Sequence, residues 1–155
     1  MTLQQVIRVI EMVAMKQPSV NMIVQNDIFR LNAKPDAKYG VFGWLQGQHS
    51  ASADSSLIDY SFTFFYVDRL TSDMGNQIEI QSVGIQTLDN ILRELNSLDV
   101  YVNSSYSFQT FNQRFVDECA GVYCSVTLQV PVSSVCSDGF ADFQSNDFNN
   151  DFTIF

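Results

Sequence analysis

Residues 57–67 read LIDYSFTFFYV, and this stretch decides the class of fold. Apolar side chains recur at every second position, which predicts a β-strand with one apolar face formed by Ile58, Tyr60, Phe62, Phe64 and Tyr66. Phe65 and Val67 fall on the opposite face, so we expect part of this strand to be covered on both sides. The 155-residue chain has thirteen Phe, six Tyr and one Trp, and such rings pack well on a pleated surface.

A second alternating stretch, residues 122–130, predicts another long strand that ends at Pro131. One face of this strand is apolar throughout: Val122, Cys124, Val126, Leu128 and Val130. Shorter apolar runs predict further strands over residues 22–31, 41–45, 101–102 and 106–115. The apolar positions change parity between Phe108 and Phe111, which predicts a β-bulge between them.

The amino-terminal stretch predicts a helix that ends near Gln17. Its apolar residues have helical spacing: Leu3, Val6, Ile7, Ile10 and Ala14. Thr2 and Gln5 have the spacing of a capping box, in which each side chain binds a free backbone amide of the other residue. Further apolar residues widen this surface beyond one stripe, so either another element or another subunit is expected to cover it. They are Val9, Met12, Val13 and Met15.

A second helix is predicted to begin between Asn76 and Ser82 and to end near Asn96. Its expected buried stripe consists of Ile85, Leu88, Leu92 and Leu95. Long alternating strands and two helices together predict an α+β fold, with a mostly antiparallel twisted sheet packed by the helices. We assign residues 1–137 to a single domain of this kind.

Residues 138–155 have a different composition, in which acidic residues and asparagines alternate with phenylalanine. Such a stretch lacks the apolar content for a core of its own, yet exposed phenylalanines are costly in water. We therefore expect this tail to be disordered in the free subunit and to dock its rings on a neighbour after assembly; the alternative is that it stays disordered. The expected interaction residues are Phe140, Phe143, Phe148, Phe152 and Phe155.

The charge of the chain limits its partners, because eight Lys and Arg face seventeen Asp and Glu, a formal net charge of -9. An excess of negative charge argues against a tight grip on phosphates or on anionic lipid. It suits instead a channel wall along which DNA slides without specific binding. No stretch approaches 18 consecutive apolar residues, so we expect a protein without a membrane association, assembled in the cytosol.

Reactive residues are few and have no motif around them. His49 is the single histidine, and the three cysteines Cys119, Cys124 and Cys136 lack the spacing of a zinc site. We interpret Cys119 and Cys124 as small core residues on opposite strand faces. Carboxylates such as Asp59 are numerous, but nothing selects a catalytic pair. The sequence therefore predicts no enzyme, no cofactor and no metal site.

Three stretches of the chain, residues 59–70, 76–95 and 115–131, resemble the tail-terminator and tail-completion proteins of long-tailed bacteriophages. IEIQSVGI at 78–85 and GVY at 121–123 are most similar to ring proteins below the portal of crAss-like phages, and the likeness covers residues 1–132. The resemblance implies a virion protein of the neck or tail, in which identical subunits form a ring of six or twelve copies. Such a ring contacts portal-proximal and tail proteins and encloses the DNA channel.

Two other functions compete with the ring. In the first, the row Tyr60, Phe62, Phe64 and Tyr66 lines the pocket of a small enzyme or ligand-binding protein. In the second, the chain is a soluble adaptor that binds a partner through residues 138–155. A stable monomer with a deep apolar cavity would favour the pocket, and partner binding without self-association would favour the adaptor.

Overall fold

A computed structural model describes residues 1–26, 38–103, 105–114 and 118–132, with positions 113 and 114 described by their backbone alone. Within these ranges the chain forms two helices and seven strands. In chain order they are α1 Leu3–Met15, β1 Met22–Gln25, β2 Val41–Gln46, β3 Ser50–Ala51, β4 Leu57–Arg69, α2 Gln77–Ser97, β5 Tyr101–Val102, β6 Phe108–Arg114 and β7 Glu118–Pro131.

All seven strands belong to one sheet, whose main order is β1-β2-β4-β7-β5. Strand β3 pairs with β4, and β6 pairs with β7 beside β5. β1 and β2 are parallel, whereas every other pair is antiparallel. The two longest strands form the centre and pair from Leu57 opposite Pro131 to Arg69 opposite Cys119. The predicted α+β fold with a mostly antiparallel sheet and two helices is confirmed.

Both helices pack on one face of the sheet and form the main core. The rows of β4 and β7 that were predicted to be apolar face the helices, including Phe64, Cys124 and Leu128, none of which is exposed to solvent. The helices contribute Val6, Ile10, Val13, Ala14, Ile80, Leu88, Ile91, Leu92 and Leu95. Full burial of one such Leu, Ile or Phe contributes about 1.5–3 kcal/mol, so this layer supplies most of the driving force for folding.

The opposite face of the sheet carries a second, smaller cluster, and the expectation that part of β4 is covered on both sides is confirmed. Phe65 and Val67 are buried there, together with Val24, Val41 and Cys119. Partly buried side chains surround them: Met22, Tyr39, Leu45, Phe111 and Tyr123. Cys119 and Cys124 therefore lie in different clusters, as the odd difference between their positions in the strand predicts.

Helix α1 begins as predicted. The Thr2 hydroxyl accepts a hydrogen bond from the Gln5 amide at 3.3 Å, and the Thr2 amide donates to Gln5 Oε1 at 2.8 Å. Helix α2 begins at Gln77, inside the predicted interval, and ends at Ser97. No helix in the described parts of the chain has the length and apolar content needed to cross a membrane.

Three details of the prediction are wrong. There is no bulge in β6, because its pairing with β7 runs without interruption from Phe108 to Arg114. Phe108 packs on the helix-side core and Phe111 on the second cluster, so the change of parity reflects two covered faces. Strand β1, which was predicted to continue to residue 31, ends at Gln25, where Asn26 turns the chain with a φ of 51°; residues 27–31 lie outside the described residues. Ile85 is 37% exposed and does not belong to the buried stripe of α2.

Candidate interaction surfaces

His49 lies in the connection between β2 and β3, and its side chain binds Gln46 of β2 and Ser61 of β4. Its Nδ1 accepts a hydrogen bond from the Ser61 amide at 3.2 Å, so its Nε2 is the atom that donates to Gln46 Oε1, also at 3.2 Å. The imidazole packs edge-on against Tyr60, with 5.3 Å between the ring centroids. Because the Nδ1 lone pair already accepts the Ser61 amide, the neutral ring has no free acceptor nitrogen in this arrangement with which to take up a proton.

The described acidic side chains form no metal-binding cluster. Within residues 1–26, 38–103, 105–114 and 118–132, no three His, Cys, Asp or Glu side chains lie close enough to hold a metal ion. Glu94 forms a surface ion pair with Lys16 at 3.0 Å. Asp117 lies outside the described residues.

The row of aromatic residues on β4 belongs to the helix-side core. Phe62, Phe64 and Tyr66 are at most 2% exposed, and Tyr60 is 8% exposed. The Tyr66 hydroxyl donates to the Ser19 carbonyl oxygen at 3.3 Å. Burial, with a smaller contribution from the charge of Asp68, raises the pKa of Tyr66 to about 12. This burial argues against the aromatic ligand pocket that the sequence left open.

A shallow polar groove of ≈ 290 Å³ lies on the other face of the sheet. Hydroxyl groups dominate its floor, since Ser61 lies opposite Thr127 and Thr63 lies opposite Ser125 in the pairing of β4 with β7. The two cross-strand hydroxyl pairs are 3.5 Å and 3.4 Å apart. None of the described residues that line the groove carries a charged side chain.

An exposed apolar surface lies on helix α1, where Met12 is 48% and Met15 65% exposed; we refer to these two residues as the α1 patch. Glu11 on the same part of the helix accepts hydrogen bonds from Gln25 of β1 and from Trp44 of β2. The second half of α1 therefore lies over the β1 end of the sheet. Of the residues expected to widen the apolar surface of α1, these two methionines remain uncovered.

A second exposed apolar surface lies on helix α2, where Ile78 is 74% and Ile85 37% exposed; we refer to these residues as the α2 patch. Their positions differ by seven, which is nearly two full turns, so they lie along nearly the same line of the helix. Asp89, one turn further on, accepts a hydrogen bond from the Tyr106 hydroxyl at 2.7 Å. Tyr106 stands just before β6 and its ring packs against Phe108. The α2 patch thus faces the β6 side of the molecule.

The sequence did not predict the α2 patch, because the helical spacing of Ile85 places it next to the buried stripe of α2. The spacing of seven residues between Ile78 and Ile85 was the available signal, since Leu88, Leu92 and Leu95 define a different line of the helix. Phe65 and Val67 are at most 1% exposed within the single chain, so this part of β4 offers no exposed apolar surface.

Strand β6 forms the edge of the sheet on this side. Within the described part of the chain it pairs with β7 alone. Strands β1 and β6 therefore stand at opposite ends of the sheet, and each end has an exposed apolar patch above it. The five phenylalanines predicted to make contacts, Phe140, Phe143, Phe148, Phe152 and Phe155, lie outside the described residues.

Comparison with known proteins assigns no family to this chain. No protein-family model matches it, and no curated protein sequence matches it significantly. Its function is therefore inferred from the surfaces described above.

Proposed function

We propose that the chain is a structural subunit that assembles into a ring of identical copies in the neck or tail of a tailed bacteriophage. In this role the ring connects portal-proximal and tail proteins and encloses a channel through which DNA passes without specific binding. The phage context comes from the sequence resemblance of residues 1–132. The ring itself is supported by the arrangement of the exposed surfaces.

One observation carries the proposal: two different apolar patches stand at opposite ends of one sheet. A cyclic ring needs a heterologous interface, in which one patch of each copy contacts a different patch of the next. The α1 patch lies above the β1 end, and the α2 patch lies toward the β6 end. Contact between them would repeat around a closed ring and remove four large side chains per interface from water.

The acidic composition is compatible with a DNA channel, since a net charge of -9 repels phosphates and disfavours sticking. This part of the proposal predicts acidic or neutral side chains on the wall of the channel. A wall that proved basic in an assembled particle would contradict it.

The mass of the full-length chain in solution tests the ring. Native mass spectrometry and negative-stain microscopy should give a discrete closed oligomer of six or twelve copies, with added portal assembly as a template if needed. Ile78→Glu and Met15→Glu each place a charge in one patch and should each leave the chain monomeric. Because both side chains are mostly exposed, neither substitution should disturb the fold.

Matched controls carry the same charge at exposed polar positions of the same helices. These are Asn90→Glu on α2 and Gln4→Glu on α1, and both should assemble like the wild-type chain.

Mixing the two patch variants distinguishes a heterologous interface from a symmetric one. Each variant retains one intact patch, so an equimolar mixture of Ile78→Glu and Met15→Glu should give a discrete heterodimer and no ring. Persistent monomers in the mixture would show that the two patches do not contact each other. A wild-type chain that stays monomeric with and without the portal assembly would overturn the ring.

A further inference from the structure

Strand β6 has the features of a sheet edge that can accept another strand. Its sequence, FQTFNQR, contains no Pro, no Gly and no acidic residue, and its pairing with β7 has no bulge. Natural proteins usually protect long edges with charges, prolines or bulges, because the free backbone groups otherwise pair with another chain. Over Phe108 to Gln113 the strand carries no such protection.

The hydrogen bonds of β7 show which backbone groups of β6 point outward. The Leu70 amide donates to the Glu118 carbonyl and the Val132 amide to the Ser56 carbonyl, so even-numbered residues of β7 face β4. Odd-numbered residues face the other side, as the bond from the Asn103 amide to the Thr127 carbonyl illustrates.

Gln109 and Phe111 pair with the odd-numbered residues Tyr123 and Gly121, so their backbone groups bind β7. The backbone groups of Thr110 and Asn112 consequently point away from the sheet. Both side chains are exposed.

We propose that this edge receives residues 151–155, DFTIF, of a neighbouring copy as an added strand. The inference rests on the proposed ring and names one of its contacts. Phe, Thr and Ile are residues that favour strands, whereas residues 133–150 are rich in Ser, Asp and Asn, which do not. Addition of a strand to a free edge is a recurrent way to bind an extended segment, in which main-chain hydrogen bonds provide affinity.

The length of chain beyond the last described residue is sufficient for this contact. About 20 residues lead from Val132 to Phe152, and an extended chain of that length reaches up to about 66 Å. A domain of this size has a radius of gyration of about 14 Å, so the segment can reach an adjacent copy. The edge also lies on the side of the α2 patch, where the ring places a neighbour.

Hydrogen exchange of the full-length chain at Thr110 and Asn112 tests the proposal. Although these amides point out of the sheet, both should exchange at least about tenfold more slowly than an open edge allows. Thr153→Pro removes a donor from the added segment and should restore fast exchange at both positions. Thr153→Val keeps the amide and the β-branched side chain and should remain protected.

A mixing experiment identifies the copy that supplies the strand. Thr110→Pro blocks the edge at an amide that does not bond to β7, with Thr110→Val as its control. Asn112→Pro provides a second edge variant in case Thr110→Pro disturbs folding. Adding excess Thr110→Pro chain, which has an intact segment, to isotope-labelled Thr153→Pro chain should restore slow exchange at Thr110 of the labelled chain.

Three results would overturn the inference. Fast exchange at Thr110 and Asn112 in the assembled wild-type chain would show an open edge. If mixing does not restore slow exchange at Thr110 of the labelled Thr153→Pro chain, each copy uses its own segment. Rings that assemble normally with protected Thr110 and Asn112 in Thr153→Pro would assign the edge to another partner, and in that case the proposed ring would stand.

Discussion

The ring of Phe65 occupies the space beside the Cα of Gly43, its partner on the adjacent strand. A Cβ atom added to Gly43 would overlap the Phe65 ring, which is 1% exposed and forms the centre of the second cluster. The absence of a side chain at Gly43 therefore allows the Phe65 ring to lie over β2.

Gly43→Ala should lower the free energy of unfolding by about 1–3 kcal/mol, because Phe65 must move out of a packed position. Gly47→Ala is the matched control, since the nearest atom to its Cβ would be 3.2 Å away and the site is exposed. Its effect should stay within about 0.5 kcal/mol. Urea unfolding of both variants measures the difference, and equal effects would contradict this account of Gly43.

Glu11→Ala should destabilise the chain by about 1–2 kcal/mol, because it removes the acceptor of the buried Trp44 indole N–H. Glu11 Oε1 lies 3.1 Å from Trp44 Nε1 and 2.7 Å from Gln25 Nε2. Glu11→Gln keeps an acceptor oxygen and should recover most of the loss. Trp44 is the single tryptophan, so its fluorescence reports the change directly. An Ala variant as stable as the wild-type chain would refute the role of this contact.

Tyr106→Phe should cost about 1 kcal/mol at neutral pH, since Asp89 loses the hydroxyl that binds its carboxylate. Hydrogen bonds from Arg93 and, to a smaller extent, Tyr106 hold the pKa of Asp89 below its ordinary value of 3.8. A carboxyl group whose pKa is lower in the folded chain stabilises the fold at pH values above its unfolded-state pKa. This stabilisation is lost as the pH falls through its folded-state pKa.

The difference between Tyr106→Phe and the wild-type chain should therefore shrink below about pH 4. Chemical unfolding between pH 3 and pH 7 measures it, with the exposed Tyr101→Phe as a control that should show no such trend. If the difference in unfolding free energy does not change with pH, the effect of Tyr106 on stability does not depend on the charge of Asp89.

Cys119 and Cys124 should resist thiol reagents in the folded chain at pH 8, because neither side chain is exposed. Burial raises the pKa of Cys124 to about 11 from an ordinary 9.0, so the thiol stays protonated there. Both sites should react after unfolding in urea, as peptide mass mapping can show. Modification of either site in the folded state would contradict the burial described here.

The raised pKa of Cys124 also predicts a loss of stability at alkaline pH. Because the pKa of the Cys124 thiol is higher in the folded chain, the protonated thiol stabilises the fold at pH values below its unfolded-state pKa of 9.0. This stabilisation is lost as the pH rises from 9.0 toward about 11. Cys124→Ala should show a smaller decrease of unfolding free energy over this interval than the wild-type chain. An identical slope would assign the alkaline loss to other groups, such as Tyr66.

Local patterns were sufficient to predict both helices and the two long central strands, but not the short strand β3, which lies in a polar stretch whose composition is typical of a loop. The capping box of Thr2 and Gln5 predicted the start of α1, and strict alternation predicted which face of β7 is buried. These predictions succeed because side-chain direction repeats every two residues in a strand and every 3.6 in a helix. The prediction of a bulge between Phe108 and Phe111 was wrong, because the alternation of apolar residues alone does not tell whether a strand is covered on one face or on both.

The sequence by itself determined the α+β class, the apolar rows of β4 and β7, and the scarcity of reactive groups. Only the tertiary structure decided that Phe65 and Val67 are buried within one chain, that Ile78 and Ile85 are exposed beside the β6 edge, and that the α1 patch stands toward the other end of the sheet. The physical reason is that periodicity records local geometry, whereas exposure depends on which distant segments pack together. A ring interface is a property of that packing, since it requires two patches to stand at opposite ends of one body.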